Sequence, residues 1–330
     1  MDWPLPIRIL LLPLSWIYGL IVRSKTLLYA TGVIPQKRLK GAVISVGNLT
    51  VGGTGKTPMV IWLANRFLAE GKRVAILSRG YRGAQGTSDE VELLKRRLGP
   101  AVRFGVGPDR FAEGQKLEAE EAVDVFLLDD GFQHLKLARD VNILMLERSR
   151  ERRSKWLLPA GPMREPFSAW RRADLLVAAR GKDDELAGLS KAPRYCARTR
   201  LLGFRKLGDA GTPNDRTEIG IGPWFAFCGI GNPAAFFEDL ERWNVELAGT
   251  KAFRDHHSYS ASDAAGLEAL AANAGAEGLV TTEKDEQNLK ATKFAKLPVY
   301  VAPIEFDVSE DGEFVNEIDR ILSARKGGAS

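Results

Sequence analysis

Apolar runs that alternate with polar turns divide the chain into predicted strands and helices. Short runs rich in branched residues predict buried strands, at residues 42–46, 73–77, 123–130, 141–146 and 174–179. After the first strand, apolar side chains recur at helical spacing from Val60 to Leu68, and the predicted helix ends near Gly71. This alternation indicates an α/β fold with a doubly wound, mostly parallel sheet, in which ligands bind at the carboxyl ends of the strands.

The pattern changes after about residue 193, where a second region is predicted. Residues 195–201 are predicted to be extended. A new alternation of strand and helix begins at Trp224 and includes helices that start near Pro233 and Ser262. We therefore predict four regions: an N-terminal helix in 1–30, a first α/β domain over 31–193, linker strands over 194–222 and a smaller α/β domain over 223–330.

The N-terminal region is unusually apolar. Residues 9–22 are almost wholly apolar and lie between Arg8 and Arg23. As a helix they would span ~21 Å, which is shorter than the ~30 Å core of a bilayer. Because Trp16 and the flanking arginines suit the headgroup region, we predict a helix that lies in the membrane interface. The alternative is a helix that packs on its own domain.

The clearest candidate for chemistry is the stretch GNLTVGGTGKTP at 47–58, between the first predicted strand and helix. Its glycines let successive backbone amides turn toward one point, and the helix N-terminus adds partial positive charge. Lys56 would reach the β- and γ-phosphates, and the Thr57 hydroxyl would contact Mg²⁺. The stretch varies from GxxxxGK[ST], since Thr50 stands where a glycine is usual. It predicts a loop that binds a nucleoside triphosphate, formed by Thr50, Val51, Gly52, Gly53, Thr54, Gly55, Lys56 and Thr57.

An apolar strand that ends in acids supports this interpretation. Residues 123–130 end in Asp129 and Asp130, the arrangement in which a carboxylate at a strand end holds Mg²⁺ directly or through water. Two adjacent acids could also cap a turn, and the sequence does not decide which of them would contact the ion. His134 follows closely, either as an orienting residue or as an ordinary loop residue.

Three other polar segments give weaker signals. Asp89 lies in the first turn of a predicted helix, where an acid more often complements the helix dipole than acts in catalysis. Asp255 and His256 are neighbours in sequence, and in such a pair a carboxylate can set the tautomer of an imidazole. An Asx turn before a helix gives the same pattern. Lys284 follows the strand predicted at 278–280, where it could meet a phosphate or lie on a solvated helix start.

Composition narrows the classes of function. The 330 residues are 45% hydrophobic and 27% charged, as in ordinary globular proteins, and the formal charge of +5 suits an anionic substrate or a membrane surface. Basic residues are scattered, so a nucleic-acid partner is not expected. Cys196 and Cys228 form no CxxC pair, which argues against a zinc site and favours a reducing compartment.

Six segments together resemble one enzyme family. They are GNLTVGGTGKTP (47–58), SRGYRG (78–83), DDGFQH (129–134), LLPAGPMREP (157–166), DHH (255–257) and TTEKD (281–285). In this order, from the N-terminal helix to about residue 306, they are similar to the tetraacyldisaccharide 4'-kinases, the lipid A 4'-kinases of Gram-negative bacteria. The resemblance implies a P-loop NTPase-like α/β/α domain and a second α/β domain that closes over the active site, joined by a β-strand linker.

The resemblance also implies an activity and a location. Members of this family transfer the γ-phosphate of ATP, with Mg²⁺, to the 4'-hydroxyl of a tetraacylated glucosamine disaccharide 1-phosphate, which gives lipid IVA. They associate with the cytoplasmic face of the bacterial inner membrane. The implied partners are therefore an acylated disaccharide lipid and the membrane surface, with no nucleic acid and no obligatory protein partner.

Roles for individual residues follow from the same resemblance. The phosphate loop would hold ATP, with Lys56 as a catalytic residue, and Mg²⁺ would be served by Thr57, Asp129 and Asp130. Asp89 would be the general base assisted by His256, since a sugar hydroxyl loses its proton as it attacks the γ-phosphoryl group. This chain reads Ser-Asp-Glu-Val at 88–91 where the family has Gly-Asp-Glu-Pro. Substrate contacts are implied for Arg110, Arg164, Glu165, Asn48, Gln133 and His134.

Two alternative functions use the same loop. A membrane-associated P-loop ATPase that acts as a switch would share GGxGKT, but the signature lysine of that group would fall at Val51 here. A soluble small-molecule kinase or ligase would share the fold without the membrane surface.

Overall fold

The computed structural model describes residues 4–80, 89–147, 156–179, 192–209, 222–289 and 292–327. Its helices are α1 (Leu5–Ala30), α2 (Lys56–Ala69), α3 (Asp89–Leu98), α4 (Arg110–Glu120), α5 (Pro233–Arg242), α6 (Ala261–Asn273), α7 (Glu283–Leu289) and α8 (Asp311–Gly327). Its strands are β1 (Ala42–Asn48), β2 (Val74–Ser78), β3 (Val102–Val106), β4 (Val125–Asp129), β5 (Val141–Leu146), β6 (Leu175–Ala179), β7 (Arg194–Leu201), β8 (Arg205–Lys206), β9 (Trp224–Cys228), β10 (Leu247–Ala252), β11 (Gly278–Thr282), β12 (Val299–Ala302) and β13 (Ile304–Val308). Tyr81–Gly83 of the SRGYRG segment and Ser88 lie outside the described residues.

The chain divides into two compact units. Unit 1 comprises Met1–Tyr81, Arg97–Arg198 and Asp307–Ser330, and unit 2 comprises Arg82–Arg96 and Thr199–Phe306. The predicted domain bounds stay a prediction, but the units divide the predicted linker after Arg198 and differ from the predicted domains in two further segments. Residues 82–96 belong to unit 2, and residues 307–330 belong to unit 1. Most of α3, with Asp89 at its start, is therefore part of unit 2.

The large sheet lies mainly in unit 1 and is mostly parallel. Among the described strands its order is β13-β7-β6-β5-β1-β4-β2-β3, and β1 pairs in parallel with both β4 and β5. Ile44 and Leu127 on these central strands are fully buried, as expected for parallel strands covered by helices. The predicted α/β fold is confirmed. Since β1 and β4 run in the same direction, Asn48 and Asp129 lie at the same edge of the sheet.

Unit 2 contains a smaller sheet. Its order among the described strands is β10-β9-β11-β12-β8, parallel except for the antiparallel pair of β8 with β12. Phe227 on β9 and Leu279 on β11 are fully buried. The carboxyl ends of these two central strands lead into Gly229 and into α7, and they place the polar segments of this unit at one edge.

Helix α1 is longer than the apolar run that predicted it. It has 26 residues, or ~39 Å at ~1.5 Å per residue, and lies within the region 1–30 in which a helix was predicted. Within the described ranges it is the one helix long and apolar enough to cross a membrane, by length and composition only. One face contacts the rest of unit 1: Ser15 Oγ donates to the Leu157 carbonyl (2.9 Å), and Tyr18 Oη donates to the Arg164 carbonyl (2.9 Å).

A close approach between β1 and the turn after β4 requires glycine at position 47. A Cβ there would lie 2.5 Å from Phe132 Cβ and 2.8 Å from Phe132 N. We therefore expect Gly47→Ala to lower the free energy of unfolding by ~1–3 kcal/mol, measured by urea denaturation followed by circular dichroism. The control Gly312→Ala, in the first turn of α8 with no neighbouring atom within 4 Å of the added Cβ, should change it by less than ~1 kcal/mol. Equal effects of the two changes would contradict this packing argument.

Candidate functional site

The phosphate loop connects the end of β1 to the start of α2 in unit 1. Gly55, directly before α2, has φ of 78°, a left-handed conformation that glycine adopts without strain. The Val51 amide donates to the Pro162 carbonyl (2.8 Å), and the Arg164 amide donates to the Leu49 carbonyl (2.7 Å). Backbone hydrogen bonds to the proline-containing segment 157–166 therefore fix the path of the loop.

The start of α2 offers donors for an anion. Among the described residues no side chain caps this helix, so its first backbone amides keep their donors for a ligand. Lys56 Nζ lies 3.3 Å from Asn48 Oδ1 and 3.5 Å from Asp130 Oδ1. The Thr54 hydroxyl is buried and has no hydrogen-bond partner in the described ranges. A phosphate group at this position would satisfy the amides and the hydroxyl together.

Asp130 lies between two cations. It has φ of 52°, and its carboxylate accepts a hydrogen bond from Arg164 Nη1 (2.6 Å) while Lys56 lies 3.5 Å away. Burial would raise the pKa of this carboxyl group, but the charges of Lys56 and Arg164 outweigh that effect and lower the pKa below its ordinary value. Asp130 is therefore ionised at neutral pH.

The oxygen donors at this edge of the sheet fit Mg²⁺. Asp129 is buried at the end of β4, Asp130 follows it, and Thr57 lies in the first turn of α2. The described residues contain no group of three or more His, Cys, Asp or Glu side chains suited to a metal. Mg²⁺ needs no such group, because it keeps several waters and binds through one or two carboxylates together with phosphate oxygens.

Arg110 and His134 form a mostly buried pair beside Asp129. Arg110 Nη1 lies 3.1 Å from His134 Nδ1, and because arginine only donates, Nδ1 accepts and the ring proton lies on Nε2. Burial first, and then the charge of Arg110, lower the pKa of His134 to about 4, so the ring is neutral at physiological pH. Within the described part of the chain His134 Nε2 is buried without a hydrogen-bond partner. It is a donor available to a ligand.

Gln133 and Glu165 are also held by neighbours in unit 1. Gln133 Nε2 donates to the Asn48 carbonyl (2.9 Å). Glu165 is buried, and its two carboxylate oxygens accept hydrogen bonds from Arg172 at 2.8 and 2.9 Å. Arg172 was not among the predicted site residues. Its bidentate pair with Glu165 explains how an acid can be buried here.

A second polar cluster lies in unit 2. His256 Nδ1 lies 3.0 Å from Asp89 Oδ2, and Asn288 Nδ2 donates to the same oxygen (2.9 Å). Lys284 Nζ donates to Asp255 Oδ1 (2.9 Å) and lies 3.4 Å from His256 Nε2. Burial would raise the pKa of Asp89, but the hydrogen bonds from Asn288 and His256 and the charge of Lys284 lower it below the ordinary value.

The structure brings the predicted residues together in two groups. Unit 1 holds the phosphate loop with the substrate and metal candidates, listed as Asn48, Arg110, Asp129, Asp130, Gln133, His134, Arg164 and Glu165. Unit 2 holds Asp89 with His256. The carboxylate at hydrogen-bond distance from His256 is Asp89 and not the adjacent Asp255, whose Oδ1 lies 3.8 Å from Nε2. Asn288 was missed, because no motif marks it and its four-residue spacing from Lys284 was the only signal.

Comparison with known proteins places the chain in a family. The family model described as tetraacyldisaccharide-1-P 4'-kinase matches residues 7–323. The chain belongs to this family. Tetraacyldisaccharide 4'-kinase of Geobacter metallireducens is 39% identical over 95% of this chain and 98% of its own length. The enzyme of the same name from Haemophilus influenzae is 31% identical over 97% of this chain and 96% of its own length.

A solved kinase of this family has a similar structure. The crystal structure of LpxK from Aquifex aeolicus, in its "apo" form in complex with ATP, superposes with a TM-score of 0.76 at 29% identity. The match covers 96% of this chain and 99% of the Aquifex chain. This kinase family member therefore shares the fold of its relatives over nearly its whole length.

Proposed function

We propose that this protein transfers the γ-phosphate of ATP to the 4'-hydroxyl of an acylated glucosamine disaccharide 1-phosphate. The observation that carries the proposal is the phosphate loop, in which Lys56 and the uncapped start of α2 lie beside Asp130 at the carboxyl ends of β1 and β4. The full-length match to the 4'-kinase family supports the identity of the acceptor.

In unit 1, the chain's own groups bind and orient the triphosphate. The loop amides and Lys56 hold the β- and γ-phosphates, and the Arg164 guanidinium keeps Asp130 ionised beside them. Thr57, Asp129 and Asp130 would hold Mg²⁺, and the bound ion would neutralise part of the phosphate charge. Arg110, Gln133 and the His134 Nε2–H are donors for the anionic and hydroxyl groups of the lipid.

In unit 2, Asp89 acts as the general base. Its carboxylate accepts the proton of the 4'-hydroxyl as that oxygen forms a bond to the γ-phosphorus, and the bond from the γ-phosphorus to the β–γ bridging oxygen breaks to release ADP. The lowered pKa keeps Asp89 ionised at neutral pH. His256 orients the carboxylate through its hydrogen bond to Oδ2.

The exposed face of α1 is proposed to lie in the cytoplasmic surface of the bacterial inner membrane. Leu10, Trp16 and Leu20 on this helix are 78%, 74% and 67% exposed, which is costly for large apolar groups in water. The opposite face carries Ser15 and Gly19, which are buried against the rest of unit 1. A helix that docks by one face and exposes apolar groups on the other is suited to the interface.

Charge substitutions on the exposed face of α1 test this placement. We expect Leu10→Glu with Leu20→Glu to weaken binding to phosphatidylethanolamine–phosphatidylglycerol vesicles at least about tenfold, because two leucines that would enter the membrane interface are replaced by charged groups. Vesicle co-sedimentation measures the effect, and Val33→Glu, an exposed position just beyond α1, is the control. Unchanged binding of the double variant would show that α1 is not the membrane contact.

Label transfer tests the activity. Purified full-length protein, γ-labelled ATP and the disaccharide 1-phosphate in mixed micelles should give labelled lipid. The alternative, an ATPase that acts as a membrane switch, predicts that the label appears only as inorganic phosphate. Labelled lipid supports the kinase, and ATP hydrolysis without labelled lipid contradicts it.

A further inference from the structure

Helix α7 contacts both members of the Asp89–His256 pair. Lys284 and Asn288 are four residues apart, so they lie one turn apart on the same face of the helix. Lys284 Nζ is 3.4 Å from His256 Nε2, and Asn288 Nδ2 is 2.9 Å from Asp89 Oδ2. One helix face therefore meets the outer ring nitrogen of the histidine and one oxygen of the carboxylate.

The contact with Lys284 determines which ring nitrogen of His256 carries the proton. An ammonium group has three donors and no acceptor, so Nε2 of a neutral ring must accept from Lys284. The proton then lies on Nδ1, from which it is donated to Asp89 Oδ2 at 3.0 Å. This is the tautomer in which the imidazole can orient the base.

Asp255 would favour the opposite tautomer if Lys284 were absent. Its Oδ1 lies 3.8 Å from His256 Nε2 and can only accept, so it would attract a proton to Nε2. The bare lone pair of Nδ1 would then face the carboxylate of Asp89, which is repulsive. In the structure Lys284 donates both to Asp255 Oδ1 (2.9 Å) and toward His256 Nε2 (3.4 Å), so this acceptor already has a donor.

Asn288 acts on the carboxylate itself. Among the described residues, the hydrogen bonds to Asp89 come from Asn288 Nδ2 and His256 Nδ1, and both fall on Oδ2. The plane of the carboxylate is therefore fixed by two donors on one oxygen. No described residue donates to the other oxygen, Oδ1, whose lone pairs can accept a proton.

We propose that Lys284 and Asn288 are positioning residues, Lys284 fixing His256 as the Nδ1–H tautomer and Asn288 fixing the Asp89 carboxylate so that Oδ1 receives the proton. This inference rests on the proposed function, in which Asp89 is the general base. Neither residue needs to touch the lipid or the nucleotide for this role.

The charges around Asp89 set the direction of the expected pH effect. The titratable groups near it in the described part of unit 2 are Glu90, Asp255, His256 and Lys284. Since the hydrogen bond from Asn288 and the charge of Lys284 both lower the pKa of Asp89, removing either raises it. The acidic limb of the kcat/KM profile should then move to higher pH.

Nitrogen-15 NMR of the histidine rings tests the tautomer directly. The chain has three histidines, so the ring signals of the full-length protein in micelles are few, and His256→Gln assigns the relevant pair. At mildly alkaline pH the wild type should show a protonated Nδ1 at His256, and Lys284→Met should move the proton toward Nε2. Lys284→Met combined with Asp255→Asn should restore the Nδ1–H form, because an amide can donate to Nε2. A protonated Nε2 in the wild type would overturn the inference.

Kinetics test the consequence for the base. Lys284→Met and Asn288→Leu should each lower kcat by ~10–100-fold with little change in KM, and both should shift the acidic limb upward. Lys284→Arg keeps a donor and a charge and should recover most of the activity. Lys296→Met, at an exposed lysine of unit 2 whose backbone amide bonds Glu268, should behave like the wild type. Unchanged kcat and pH profile in both variants would also overturn the inference.

The two measurements separate this inference from the proposed function. If the wild type phosphorylates the lipid but Lys284→Met alters neither the tautomer nor kcat, the positioning role fails alone. If the wild type transfers no phosphate to the lipid, the proposed function fails, and the NMR comparison still decides the tautomer.

Discussion

Asp89→Asn is expected to lower kcat for lipid phosphorylation by ~10²–10⁴-fold, the usual contribution of a general base. The amide can still accept the hydrogen bonds of Asn288 and His256 on its oxygen, so the site should remain folded. It cannot take the proton of the attacking hydroxyl. Rapid-quench measurement of labelled lipid at saturating substrates gives the effect.

The matched control is Glu92→Gln, which removes an acid from the same helix. Glu92 is partly exposed and pairs with Lys95 at 3.4 Å, so its loss should leave kcat within about twofold of the wild type. The affinity for ATP should be unchanged in Asp89→Asn, because the phosphate loop lies in unit 1. Equal rates for Asp89→Asn and Glu92→Gln would contradict the role of Asp89.

Lys56→Met should lower kcat/KM by ~10²–10³-fold and also weaken ATP binding. The ammonium group is the charge that the loop offers to the β- and γ-phosphates, and it lies only 3.5 Å from Asp130. Lys56→Arg should recover little, since a planar guanidinium does not replace a compact ammonium group at this distance. Isothermal titration with ATP and the label-transfer assay measure the two effects.

A lysine elsewhere in unit 1 provides the control for this change. Lys116 is exposed on α4 and pairs with Glu113 three residues earlier, so Lys116→Met should leave both ATP affinity and kcat/KM near the wild-type values. Normal ATP affinity and transfer by Lys56→Met would show that the loop does not bind the triphosphate through this side chain.

The central strands and the phosphate loop could be predicted because their signals are local. Continuous apolar runs mark β1 and β4, which are buried on both faces, and the glycines of 52–55 allow the turn that leads into α2. The acids were assigned to the phosphate site because they end an apolar strand and a phosphate loop precedes them, and in the parallel sheet Asp130 lies 3.5 Å from Lys56. These elements need no knowledge of distant contacts.

The carboxylate–histidine pair was not predictable from spacing. Asp89 and His256 are 167 residues apart, and the acid adjacent to the histidine in sequence was the natural local partner. Only the resemblance to the kinases joined the two residues. No motif marks Asn288, and its four-residue spacing from Lys284 on a short helix does not by itself indicate a contact with Asp89.

The apolar pattern alone does not show where α1 ends, because the pattern stops before the helix does. Arg23, Ser24 and Lys25 interrupt the apolar run, but the helix continues to Ala30. Thr26 Oγ1 donates to the Val22 carbonyl within the helix (2.9 Å). The same oxygen lies 3.3 Å from Arg172 Nη1, so a polar contact joins this end of the helix to the rest of unit 1. A hydropathy pattern does not detect such tertiary support.

The position of the transferred phosphate decides whether the protein is a 4'-kinase. Product made by the full-length protein from ATP and synthetic disaccharide 1-phosphate can be examined by proton–phosphorus correlation NMR. We expect a new phosphorus signal coupled to the proton at carbon 4' of the distal glucosamine. A lipid that gains no phosphate, or gains it at another hydroxyl, would contradict the proposed 4'-kinase activity.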